Sequence, residues 1–233
     1  MPWIAGADGF KSQWCVVLQN VESGELRARI CPSFAGLLTL AEKPSVITVD
    51  IPIGLPEVTR PGGRLCEQQA RKILGSRASS VFSAVGRAAL RAHSQVEADQ
   101  ISRDAGGLGV GAHAWGLAEK LREADAVMTP ERQHLVREVH PEVSFWAMNG
   151  RSPLPAGKKT LEGMLGRMDA LEAEGFPSTF VRQLPVGLRV GRDDFLDACA
   201  ALWTARRISA GLAERLPEQL DLDSRGLDQA IWF

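Results

Sequence analysis

The chain has 233 residues, 45% of them hydrophobic and 24% charged, with a formal net charge of −1. That length suits one large domain or two small ones, with room for a sizeable core. Near-neutrality excludes an overall basic field that would draw the protein to nucleic acid or anionic membrane, and leaves room only for a local basic patch.

Four cysteines, Cys15, Cys31, Cys66 and Cys199, form no CxxC pair and no zinc spacing, so they read as reduced core thiols. MPWIAGADG lacks the basic-then-apolar order of a secretory signal, and no run approaches the ~18 apolar residues of a membrane span. The expectation is a cytoplasmic protein with no membrane partner.

Residues 2–8 (PWIAGAD), 13–20 (QWCVVLQN) and 26–30 (LRARI) are short apolar runs separated by turn residues, which predicts an antiparallel meander. Residues 33–43 read as a helix capped by Ser33, and SVITVDI (45–51) as a fourth strand. A strand reached through a helical crossover runs parallel to an earlier one. Helical periodicity follows over 64–74, broken by GSRASS, and again over 94–104. GGLGVG (106–111) reads as a loop and 112–128 as an amphipathic helix. HLVREVH (134–140) alternates as a strand that Pro141 ends. The segments 142–150 and 159–175 are helical, each closed by glycine. The strongest helix covers 192–215, entered through acids, and QAIWF at the end reads as an edge strand. The β-β-β-α-β order predicts one α/β domain with a mixed sheet, helices on both faces, and a helical insertion over about 57–130.

ITVDIPIGLP (47–56) places a carboxylate inside a run fit for a buried strand, where an unpaired charge is costly. Acids recur at the ends of other elements: Asp8, the pair Glu138 and Glu142, and Asp193, Asp194 and Asp197. Asp194 and Asp197 are three apart and share a helix face. Each has a plain structural reading, as an Asp-Gly turn at Asp8, a turn cap at Asp50, a solvent-facing strand residue at Glu138, or helix N-terminal charge at Asp193 and Asp194. Together, acids from two adjacent parallel strands and one helix suit Mg²⁺ or Mn²⁺, which take oxygen ligands. Two such ions activate water and stabilise the leaving oxygen of a phosphodiester. The arginine-rich stretch after Asp50 supplies candidate phosphate donors in Arg64, Arg71, Arg77, Ser79, Ser80 and Arg87, with Lys158 and Lys159 at a helix start. Pairing with neighbouring acids is the ordinary alternative for the residues of the arginine-rich stretch, and solvated surface for the two lysines. His140 is a candidate metal ligand or proton shuttle.

The stretch DFLDACAAL (194–202) resembles the DxxDAxAxA helix of RuvC-type resolvases. More fully, GADGFKSQW (6–14), VDIPIGLP (49–56), the RxCxxxARxxLGxRxSSVF stretch from Arg64 to Phe82, REVHPEVSFWAMNG (137–150), KKTLEGMLGR (158–167) and DDFLDACAALWTARR (193–207) resemble a bacterial and archaeal domain-of-unknown-function family described as predicted nucleases with an RNase H-like fold. The resemblance implies Asp8 and Asp50 as strand ligands, Asp194 and Asp197 as the helix pair, and Glu138 as a further strand acid with Glu142 as its substitute. Where that family carries a proline this chain has Ser83, and where it carries a lysine-containing run this chain has GLGVG (107–111).

These readings predict a two-metal nuclease or phosphodiesterase acting on nucleic acid or nucleotide. One alternative is an ATP-dependent phosphotransferase of the actin-like or sugar-kinase type, suggested by AspGlyPheLys (8–11), with Lys11 as a phosphate donor. Another is a non-catalytic RNase H-like binding protein.

Overall fold

The structure, a computed structural model, describes residues 2–233. Strands β1 (Trp3–Phe10), β2 (Gln13–Asn20) and β3 (Leu26–Cys31) form the antiparallel meander, with Trp3 opposite Asn20 and Phe10 opposite Gln13. Helix α1 spans only Phe34–Leu37, although Ser33 caps it as expected by accepting the Gly36 N–H. Bonds from Leu38 N–H to Ala35 and from Thr39 N–H to Gly36 tighten its end. Pro44 disfavours helical geometry at Lys43, which stands at φ 48°.

Strand β4 (Val46–Val49) pairs parallel to β1, and β5 (Val136–Glu138) parallel to β4, giving the order β3-β2-β1-β4-β5. Three antiparallel strands followed by parallel ones make a mixed α/β sheet consistent with an RNase H-like arrangement. Between β4 and β5 lie α2 (Leu65–Leu74), α3 (Gln95–Asp104), α4 (Ala112–Gly116) and α5 (Ala118–Val127). The expected helix over 112–128 is thus two helices, jointed at Leu117.

After β5 come α6 (Pro141–Met148), α7 (Leu161–Ala173), α8 (Ser178–Val181) and α9 (Arg192–Ser209). Pro141 opens α6, where its missing N–H costs nothing. α9 stops short of 215 because Gly211, at φ 70°, turns the chain, with Gly211 N–H donating to Ile208 and Leu212 N–H to Arg207. β6 (Arg215–Leu216) and β7 (Ile231–Trp232) pair with each other, and Trp232 bridges Val139 beside β5.

Strand alternation divides the interior in two. Ala5, Ala7, Trp14, Val16, Ile47, Val49 and Val136 face α1 and the helices of 84–128. Ile4, Cys15 and Val17 face the other way, against α9 and residues of α6 and α7. No helix among the described residues is long and apolar enough to cross a membrane.

Candidate functional site

Parallel pairing sets Gly6 beside Thr48 and Ala7 beside Val49, and the Asp50 N–H donates to the Ala7 carbonyl at 3.0 Å. One step further along, Asp8 and Asp50 are neighbours, and alternation puts both on the α9 face with Gly6 and Thr48. α9 lies close here because Gly6 has no side chain. A Cβ on Gly6 would stand 2.0 Å from the Leu202 nitrogen and 2.5 Å from the Ala198 oxygen. The Thr48 hydroxyl donates to the Ala201 carbonyl at 2.6 Å, fixing the helix lengthwise. One turn before Ala201, Asp197 then comes over the strand ends, with Asp194 a turn earlier. Asp8 and Asp197 are 7% and 2% exposed.

The electrostatics show four acids in one place. Burial raises the Asp8 carboxyl well above its usual range, and the charges of Asp50, Asp197 and Asp194 raise it further. Asp50 is raised chiefly by burial, against the pull of His140 and Lys158, and hydrogen-bonds Asp8. Burial pushes Asp197 up to about 6 despite Lys158, and raises Asp194, with Asp193 adding to it. The Lys158 ammonium donates to Asp197 at 2.6 Å. Burial alone would lower it, but Asp197, Asp50 and Asp8 outweigh that and hold it protonated. The lysine expected to meet substrate phosphate is therefore the counter-charge of the acids.

Glu138 is not brought to this cluster. Its pairing with Val49 turns its side chain to the opposite face of the sheet from Asp50. There Arg64 grips it, Nη1 at 2.8 Å and Nη2 at 2.6 Å, and the Ile53 N–H donates to it at 2.7 Å. Arg64 is correspondingly engaged within the fold. It is 3% exposed and also donates to Glu67, at 2.7 Å, and to the carbonyls of Ile53 and Gly54. Glu142 stays on the acid side, where its charge raises Asp50. It accepts from Arg167, which is fully buried, and lies 3.5 Å from Arg77.

The remaining expected donors are scattered. Arg71 donates to the carbonyls of Val81 and Gly62 and to the Ser83 hydroxyl, so it ties loops together. Arg87 is held by Asp125, Asp223 and Glu57. Ser79 and Lys159 are exposed, and Lys11 lies exposed at the β1–β2 turn with its ammonium 5.2 Å from the Phe10 ring. The Ser80 hydroxyl donates to Arg77, and its carbonyl lies 3.3 Å from His140 Nε2. Arg77 and His140 thus border the acids. Arg167 and Thr48 carried no sequence signal, whereas a glycine within a strand pattern, as at Gly6, is the mark of close backbone approach.

The donor set suits a hard divalent cation: buried carboxylates gathered with too little positive charge to ionise them all. Among the described residues, however, no three His, Cys, Asp or Glu side chains stand at coordinating spacing, and Lys158 holds Asp197. Two cavities, of about 290 Å³ beside Phe82 and about 450 Å³ beside Leu154 and α7, are lined by none of these acids.

The chain belongs to a family of proteins of unknown function, DUF429, whose profile matches residues 6–221. No curated protein and no solved structure matches it.

Proposed function

We propose that the protein is a Mg²⁺- or Mn²⁺-dependent phosphodiesterase acting on nucleic acid or nucleotide in the cytoplasm. The supporting observation is the convergence of Asp8, Asp50, Asp194 and Asp197, with raised proton affinities, beside one ammonium. Asp8, Asp50 and Asp197 would hold the cation, with Asp194 completing the set. The bound cation supplies charge for the phosphate and acidity for a water. Release from Asp197 would free Lys158 to face a phosphate oxygen, and Glu142 holds Arg77 at the rim for the same charge. His140, between Ser80 and Asp50, is placed to carry protons at the edge of the centre.

Titration calorimetry with Mn²⁺ on the wild type and on the Asp8→Asn, Asp50→Asn double variant tests this, alongside cleavage of labelled oligonucleotides. Expected are binding and cleavage by the wild type, both lost in the variant. No heat with the wild type overturns the reading. ATP hydrolysis without oligonucleotide cleavage would instead assign the centre to phosphotransfer.

A further inference from the structure

The cavity of about 290 Å³ lies outside the acid cluster but is joined to it by two residues of chain. The Ser80 carbonyl meets His140, whose charge acts on Asp50. Val81 is extended and 4% exposed, packed in the cluster that holds Val143 and Trp146. Alternation then turns Phe82 outward, where it is 44% exposed. At no more than about 3.6 Å per residue, the Phe82 backbone lies within about 7 Å of Ser80.

Phe82 does not stand alone there. The His113 ring lies parallel to it, with centroids 5.3 Å apart and planes 8° apart. Leu108, 47% exposed, and Arg60 also line the cavity. The Arg60 guanidinium is exposed and makes no hydrogen bond or ion pair with any described residue. The walls are fastened from behind. Arg71 spans from Gly62 to Val81 and Ser83, and the Leu108 N–H donates to Thr59 at 2.8 Å. A braced recess that leaves two stacked rings and a leucine in water is built for a planar ligand.

We propose that this cavity receives an unpaired nucleobase of the substrate, stacked on Phe82 and His113, with Arg60 reaching its edge or the adjoining phosphate. This rests on the phosphodiesterase reading and narrows it. Only an unstacked base offers its face to a ring, so the substrate is a single strand or a free nucleotide, and a duplex is excluded.

The test uses the full chain in EDTA, where no cleavage occurs. Fluorescence anisotropy measures binding of a short labelled single strand, the same sequence as a duplex, and nucleoside monophosphates in competition. Phe82→Ala is expected to weaken single-strand binding by about 5- to 150-fold, the range of one lost base stack, while Phe82→Trp retains it. Competition by monophosphates at equal affinity identifies a free nucleotide as the source; binding only of the strand identifies nucleic acid. Melting of each variant checks the fold, which an outward-facing ring is not needed to maintain. Equal binding of duplex and single strand, or unchanged affinity in Phe82→Ala, overturns the assignment. Mn²⁺-dependent cleavage insensitive to Phe82 would sink the base site alone. Phe82-dependent binding without Mn²⁺-dependent cleavage would sink the hydrolytic reading and leave the base site standing.

Discussion

Arg64→Met separates an arginine that serves substrate from one that serves the fold. The substitution removes the 2.7 Å bond to Glu67, both bonds to Glu138 and two bonds to carbonyls, all in the interior. Removing one partner of a buried ion pair costs about 3–5 kcal/mol, because the other charge stays behind. For a chain of this size that lowers the melting temperature by about 6–20 °C. Burial already holds the Glu138 carboxyl above its usual range while Arg64 pulls it down. Without Arg64 it rises further, and the folded state then binds a proton the unfolded state does not. Stability from that proton is present below the unfolded value near ~4.3 and is lost as pH rises through the raised folded value. The gap between variant and wild type is therefore smaller at pH 5 than at pH 8, read by thermal or urea unfolding. Arg64→Met with Glu138→Gln recovers part of the loss, since glutamine still accepts from the Ile53 N–H. A variant that melts like the wild type yet binds phosphate more weakly would refute the buried clamp.

The acid cluster should make the metal-free protein prefer low pH. The folded pKa values of Asp8, Asp50, Asp194 and Asp197 are raised, so their contribution holds below the unfolded value near ~3.9 and is lost as pH rises through the folded values, that of Asp197 pushed up to about 6. Calorimetric melts should show less stability at pH 8 than at pH 5, by an amount on the order of 2 kcal/mol, with the difference narrowed in Asp8→Asn. Mn²⁺ should raise the melting temperature at pH 8 and lose that effect below about pH 6, as protons compete for the carboxylates. Lys158→Met removes a cation bonded to Asp197 and should tighten Mn²⁺ binding by about tenfold in calorimetry; unchanged affinity would show that the ammonium is not in the ion's way. Gly6→Ala forces a Cβ onto the α9 backbone and should cost about 1–3 kcal/mol in denaturant unfolding, with weaker Mn²⁺ binding as Asp194 and Asp197 move away.

What was legible in the sequence was what periodicity and turn chemistry control. The meander, β4 and the start of α9 follow from apolar alternation and from acids at a helix N-terminus, and parallel pairing of β1 with β4 was enough to bring Asp8 to Asp50. Two features lay beyond local pattern. Which face of β5 carries Glu138 depends on its register against β4, and a one-residue difference would have reversed it. An arginine in a basic stretch looks alike whether it meets solvent or is buried, so Arg64 as Glu138's partner, and Arg167 as Glu142's, emerge only from contacts across more than twenty residues. Helix ends depart from the periodicity for local reasons, a tightened last turn after Leu37 and the left-handed Gly211.

The close seat of α9 on Gly6 also sets when the centre can exist. Asp8 and Asp50 come before the helix that carries Asp194 and Asp197 in chain order. A ribosome-bound chain still lacking α9 exposes the apolar strand face that Ile4, Cys15 and Val17 contribute, with two half-assembled acids at its rim. The four-acid centre is thus assembled only when α9 docks on the bare backbone of Gly6.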